Sequence, residues 1–259
     1  MRDTPGEGGA PTFGDAFHPT DELKPPTAEH PEDLLTLFQE SLDAVDPGSW
    51  VLEAINEIFG SNPIEEAMAK LGGDWQAYGR AGDMFEHLGE FFQQIGDNLK
   101  IGNDELDSYW MGVAADSAYI YFDDLAESAR AHREVLRKIA EQYQVASDAA
   151  YHFAISGGPI AAAIIDAALV AGIGMAAGTA TSETLVGGAI GYGVAAFEAF
   201  EVIEQCDHLM RLIGLTDAAV QGAVGQIGQI AGTSPDVLAG FSRISTQNDT
   251  LPPLPGGSQ

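Results

Sequence analysis

The sequence predicts an all-α protein: an elongated helical bundle built around a long antiparallel helix-turn-helix hairpin, with a second, Ala/Gly-rich helical hairpin. Three observations predict it. Apolar residues recur at helical spacing, and no useful length of chain alternates as a strand does. Two long apolar stripes flank the segment DSYWMGVAAD, residues 107–116. Beyond them lie two Ala/Gly-rich apolar segments, in a stretch with no Lys or Arg between Lys138 and Arg211. With 259 residues, 45% of them apolar, the chain can bury a sizeable core.

The elements follow in order. Residues 1–30 are rich in Pro, Gly and acids and read as a disordered leader. Residues 31–73 hold short helices. Pro31, Glu32 and Asp33 suit a helix start ahead of Leu34, Leu35, Leu37 and Phe38. A second helix is expected over Trp50 to Phe59, and a third over Ile64 to Leu71, closed by Gly72-Gly73.

Asp74 caps the first long helix, whose stripe runs Trp75, Tyr78, Gly82, Phe85, Gly89, Phe92, Leu99, Leu106 and Tyr109, with Ile95 in the gap. The second stripe runs Ala114, Ala118, Tyr121, Leu125, Ala129, His132, Leu136, Ile139, Tyr143, Ala146 and Ala150. Spacings that alternate between three and four make a narrow coiled-coil-like seam. Each helix would be roughly 50 Å long. Gly112 can take the backbone conformation that turns the chain back, and Trp110 is large enough to cover the start of the second helix. The hairpin therefore spans 74–156, ending at Ser156-Gly157-Gly158-Pro159. Residues 157–242 hold the apolar helices, with segments at 160–178, 185–203, 216–230 and 235–241. Residues 243–259 form a disordered Pro/Gly tail.

Charge excludes whole classes of partner. Acidic residues number 39 and basic residues 11, a net charge of -28. Phosphate backbones and anionic lipid surfaces are repelled, so nucleic acid is not an expected partner. The one cysteine, Cys206, permits neither an intrachain disulfide nor a thiolate metal site. The N-terminal stretch has no apolar h-region, so export would use a route independent of a cleavable signal peptide.

The Trp110-x-Gly112 turn, the Ala114-Ala115 pair after it and the two seam helices resemble the WXG family of helical-hairpin proteins, substrates of type VII (ESX) secretion in actinobacteria and related bacteria. The resemblance covers roughly residues 74 to 153. It implies a secreted or cell-surface protein, cytoplasmic before export, that acts by protein-protein association. Its partners would be the type VII machinery or a chaperone, with a helical-hairpin partner or homo-oligomer as a further expectation. A Tyr-x-x-x-Asp/Glu signal normally follows the hairpin in that family. Here the secretion-signal candidate is Tyr119/Asp123, near the start of the second helix, where a core tyrosine is the competing reading.

Two other readings stay open. The 160–203 hairpin is near membrane-spanning length and holds Gly174-x-x-x-Gly178 and Gly187-x-x-x-Gly191, which permit close helix contact in lipid. Against insertion stand Asp166, Glu198 and Glu201, each costing about 3 kcal/mol near mid-bilayer. Packing on the long hairpin is thus favoured over membrane entry. The other reading is the export module of a toxin system. No catalytic, cofactor or metal signature is present: no nucleophile elbow, no phosphate-cradling loop, and in Glu204/His208, four apart on one helix face, too few ligands for a metal site. The expectation is a protein that is not an enzyme and uses no cofactor.

Overall fold

The computed structural model describes residues 14–42, 52–53, 55–56, 62–180 and 185–233, with side chains described at all of these except 173–180 and 185–194. The protein is an all-α helical bundle. A single 3-10 turn, Pro19–Glu22, precedes α1 (Leu34–Leu42), α2 (Pro63–Leu71), α3 (Trp75–Asp107), α4 (Val113–Ala180) and α5 (Leu185–Thr233). The described residues group into two compact units. One comprises 14–25, 84–140 and 229–233; the other takes in 26–83 and 141–228.

In the first unit, α3 and α4 run antiparallel, and small residues set their separation. Gly89, Gly96 and Asn103 recur every seven residues on α3 and are buried. A Cβ on Gly89 would stand 3.4 Å from the Arg133 carbonyl oxygen, and one on Gly96 would stand 2.7 Å from that of Ala126. Asn103 Nδ2 donates to the Tyr119 carbonyl at 2.8 Å. Ion pairs keep the same register: Arg133 with Glu90 at 2.6 Å and Arg130 with Asp97 at 2.8 Å. His132 is buried, stacks on Phe92 at 5.0 Å, and its Nδ1 lies 2.7 Å from the Ser128 carbonyl. A carbonyl can only accept, so Nδ1 carries the hydrogen.

The second unit holds a mixed core. Leu34 and Phe38 of α1, Ile64, Ala67 and Leu71 of α2, Phe153, Ile164 and Ile165 of α4, and Val202, Cys206, Leu209 and Ile213 of α5 are buried together. Asn62 caps α2, accepting from the Ile64 and Glu65 amides. Asp74 caps α3 through the Ala77 amide at 2.9 Å.

Four expectations change. The hairpin helix does not end at 156–159; α4 continues through them with Pro159 inside. An internal proline costs about 3 kcal/mol, and tertiary packing offsets it. Gly157 and Gly158 let α1 come close: a Cβ on Gly157 would meet Phe38 and Leu209, and one on Gly158 would meet Ser41 Oγ at 2.6 Å. The segments 185–203 and 216–230 are likewise one helix, α5, whose buried seam runs on past Gly214 to Ala223.

Residues 14–30 of the expected leader are ordered. The Phe17 amide and carbonyl pair with the Asn98 side-chain amide, both at 2.9 Å. In the other unit, the Thr27 amide donates to Asp83 at 2.6 Å, Gln76 donates to the Pro31 carbonyl, and the His30 ring stacks on Tyr151 at 3.7 Å. Finally, the buried seam of α4 takes in Ala126, Val135, Ala140 and Ser147 beside the expected Ala129, His132, Leu136, Ala146 and Ala150. Residues 1–13, most of the expected helix at 50–59, and everything beyond 233 lie outside the described residues.

Gly96→Ala tests the small-residue seam. The added methyl meets a backbone carbonyl that cannot swing aside, so α3 and α4 must part. Urea unfolding should show a loss of about 1–3 kcal/mol, with the helical circular-dichroism signal retained.

Candidate functional site

The turn joining α3 to α4 is the candidate site. The Tyr109 and Trp110 amides both bond to the Leu106 carbonyl at 3.0 Å, closing the end of α3. Gly112 has φ +113°, and among the described residues no other glycine and no non-glycine residue has positive φ. The Asp116 amide then bonds back to the Gly112 carbonyl at 3.0 Å and starts α4. Nothing lies within 4 Å of where a Gly112 Cβ would be, so the dihedral alone selects glycine.

Gly112 is thus the hinge the sequence implies, but Trp110 is not a buried lid. It is 42% exposed, beside Tyr109 at 65%, Met111 at 86% and Val113 at 84%. Seam side chains meet only where two helices run side by side, and a five-residue turn puts 109–111 beyond the start of α4. Of the alanine pair, Ala115 is buried and Ala114 is exposed. The turn therefore presents a contiguous apolar tip, a feature typical of a surface that binds another molecule.

Just inside the tip lies a polar clasp. Lys100 Nζ bonds to Asp104 at 2.6 Å, to the Tyr119 hydroxyl at 2.9 Å and to Asp123 at 3.1 Å. The Tyr119 hydroxyl donates to Asp104 at 2.8 Å. The secretion-signal candidates Tyr119 and Asp123 are thus brought together, but both are engaged across the hairpin by Lys100. The Lys100 hydrogen bond, then that of Tyr119, holds the Asp104 carboxyl below its ordinary value of 3.8. Its contribution to stability is present above that value and is lost as pH falls through the lower folded value. Asp104, Tyr119 and Asp123 in turn raise the Lys100 ammonium above its ordinary 10.5. That contribution is complete below 10.5 and is lost only as pH climbs past the raised value. The Lys100–Asp104 pair has the i,i+4 spacing of a single helix, whereas the bonds from Lys100 to Tyr119 and Asp123 cross the turn and carry no sequence signal.

A cavity of about 420 Å³ lies in the same unit, lined mainly by Ile95, Leu99, Leu106 and Phe122, with Asp15 and Pro19 at its edge. It has room for an apolar side chain and holds no titratable pair. Cys206 is fully buried, and burial followed by Asp207 pushes its thiol up to about 11. At neutral pH it stays protonated and serves as a packing group. Among the described residues no three His, Cys, Asp or Glu side chains gather into a metal-binding group. Glu204 and His208 are both exposed. Gly174, Gly178, Gly187 and Gly191 lie on helical backbone, in the stretch whose side-chain packing is not described.

An all-α bundle with an apolar tip at its hairpin turn is the class these features define. Comparison with family models, curated proteins and solved structures finds no match for the chain.

Substitutions at the turn separate its two roles. Trp110→Ala should cost under about 1 kcal/mol, the ordinary range for an exposed site. Gly112→Ala should cost about 1–3 kcal/mol, because alanine is strained at that φ. Equilibrium denaturation of both variants measures the difference; a larger loss for Trp110→Ala would place its ring in the core.

Proposed function

We propose that this protein is a type VII (ESX) secretion substrate or secretion-associated helical-bundle protein that acts by protein-protein association. The observation that carries the reading is the Trp110-x-Gly112 turn of an antiparallel hairpin, with Gly112 at positive φ and Trp110 exposed beside Tyr109 and Met111. The resemblance noted in the sequence lies in that turn, and the exposed tip is a contact surface for the machinery, a chaperone or a second hairpin. Tyr119 and Asp123 support an export signal less well, since Lys100 already engages both. On this reading the protein is cytoplasmic before export and secreted or cell-surface afterwards. Deleting the secretion ATPase of the host should lower its level in culture supernatant by about tenfold or more, while the cytoplasmic level holds. An unchanged supernatant level would refute type VII dependence.

One observation favours a second reading, a membrane-inserting protein. Among the described residues one helix, within Val113–Gly172, is long and apolar enough to cross a membrane, and less than half of its most apolar stretch is buried in the protein. Two features support the packed alternative. Ala161, Ile164 and Ile165 lie in the core with Phe38 and Leu209, and Asp166 stands exposed on the same helix. Burying that carboxylate in lipid would cost about 3 kcal/mol. In vesicle flotation the protein should stay at the bottom of the gradient and release no trapped dye. Co-flotation with dye release would replace association by insertion as its activity.

A further inference from the structure

Over its described side chains, helix α5 has two apolar faces, of which one is buried. Ala195, Val202, Cys206, Leu209 and Ile213 are buried, at spacings of seven, four, three and four. Phe197 and Phe200 project from the other side, about 150° round the helix from that seam. They are 70% and 74% exposed, and Ile203 and Met210 flank them at 43% and 40%. A helix that is apolar all round belongs against neighbours on more than one side. Two phenylalanines so exposed present roughly 300 Å² of aromatic surface, the size at which a patch marks an interaction site.

Charge selects the occupant. Glu204 and Asp207 follow Phe200 on the outward side and are exposed, and Glu201 lies half-buried at the edge. Arg211, one turn after Asp207, is the first Lys or Arg since Lys138. A second copy would bring the same acidic rim and a net charge of -28, so self-pairing through this face is repelled. Anionic lipid is repelled for the same reason. A cationic surface carrying its own apolar stripe is complementary on both counts.

We propose that this face of α5 docks a cationic amphipathic helix of a partner protein. Phe197, Phe200 and Ile203 take the apolar stripe of that helix, and Glu204 and Asp207 pair with its Lys or Arg side chains. From Phe197 to Asp207 the face runs about 15 Å, or between two and three helical turns. A stripe at i, i+3, i+4 and i+7 spans about 10 Å, enough for the apolar part of the face from Phe197 to Ile203. The surface is separate from the hairpin turn and does not depend on the route of export.

The probe is a labelled helical peptide of roughly five turns, with Leu on one stripe and Lys elsewhere, titrated into the full chain by fluorescence anisotropy. Its counterpart has Glu in place of Lys. The Lys peptide should bind saturably and the Glu peptide should not. The double variant Phe197→Ser, Phe200→Ser should weaken binding by about tenfold or more, with an unchanged helical signal because both rings are exposed. The double variant Glu204→Lys, Asp207→Lys should weaken the Lys peptide and admit the Glu peptide. Failure of the Lys peptide to bind overturns the proposal. So does binding that ignores the loss of both rings, which would be mere attraction to an acidic chain. Self-association, or binding to zwitterionic vesicles, that disappears with the two rings would assign the face to a second copy or to lipid instead.

Discussion

The close approach of α3 to α4 is the constraint on which the rest depends. Gly89 and Gly96 bring the α3 backbone against carbonyls of Arg133 and Ala126, and Asn103 continues the same heptad position by bonding to the Tyr119 carbonyl. Larger residues there would hold the helices further apart. The cross-helix pairs Arg133–Glu90, Arg130–Asp97 and Lys100–Asp123 need that spacing and register. Partly exposed pairs of this kind contribute little stability individually. Their value is in specifying alignment, while the glycines and buried alanines set distance.

The turn follows from the same alignment. Once Asn103 and Tyr119 are paired across the hairpin, few residues remain to reverse the chain, and glycine at positive φ does it. The aromatic and aliphatic groups of 109–113 are then carried past the last seam contact into solvent. Exposure of Trp110 is thus a consequence of where the seam ends. It turns a residue that looks like core into one available for recognition.

In the second unit, glycines act differently. Gly157 and Gly158 make room for α1 within a continuous helix, and the exposed Pro159 is tolerated there because the turn before it is packed, with Gly157 against Phe38, Phe153 and Leu209. Local propensity favours a break at that point; packing carries the helix through. The N-terminal segment makes the same point with polar groups. Residues 14–31 carry too little apolar surface to predict order, yet Asn98, Asp83 and Gln76 hold their backbone. Such long-range side-chain bonds have no local signature.

The sequence by itself determined the helical class, the seam period, the capping residue Asp74, and the hinge at Gly112. Each rests on short-range geometry: helical periodicity, side-chain acceptors near free amides, or the dihedral freedom of one residue. Only the tertiary structure decided that Trp110 is exposed and that Ser156-Gly157-Gly158-Pro159 stays helical. The same is true of Lys100 as the bridge across the hairpin to Tyr119 and Asp123, and of the outward face of Phe197 and Phe200. Burial and cross-helix pairing depend on which residues lie opposite one another, and periodicity alone does not carry that information.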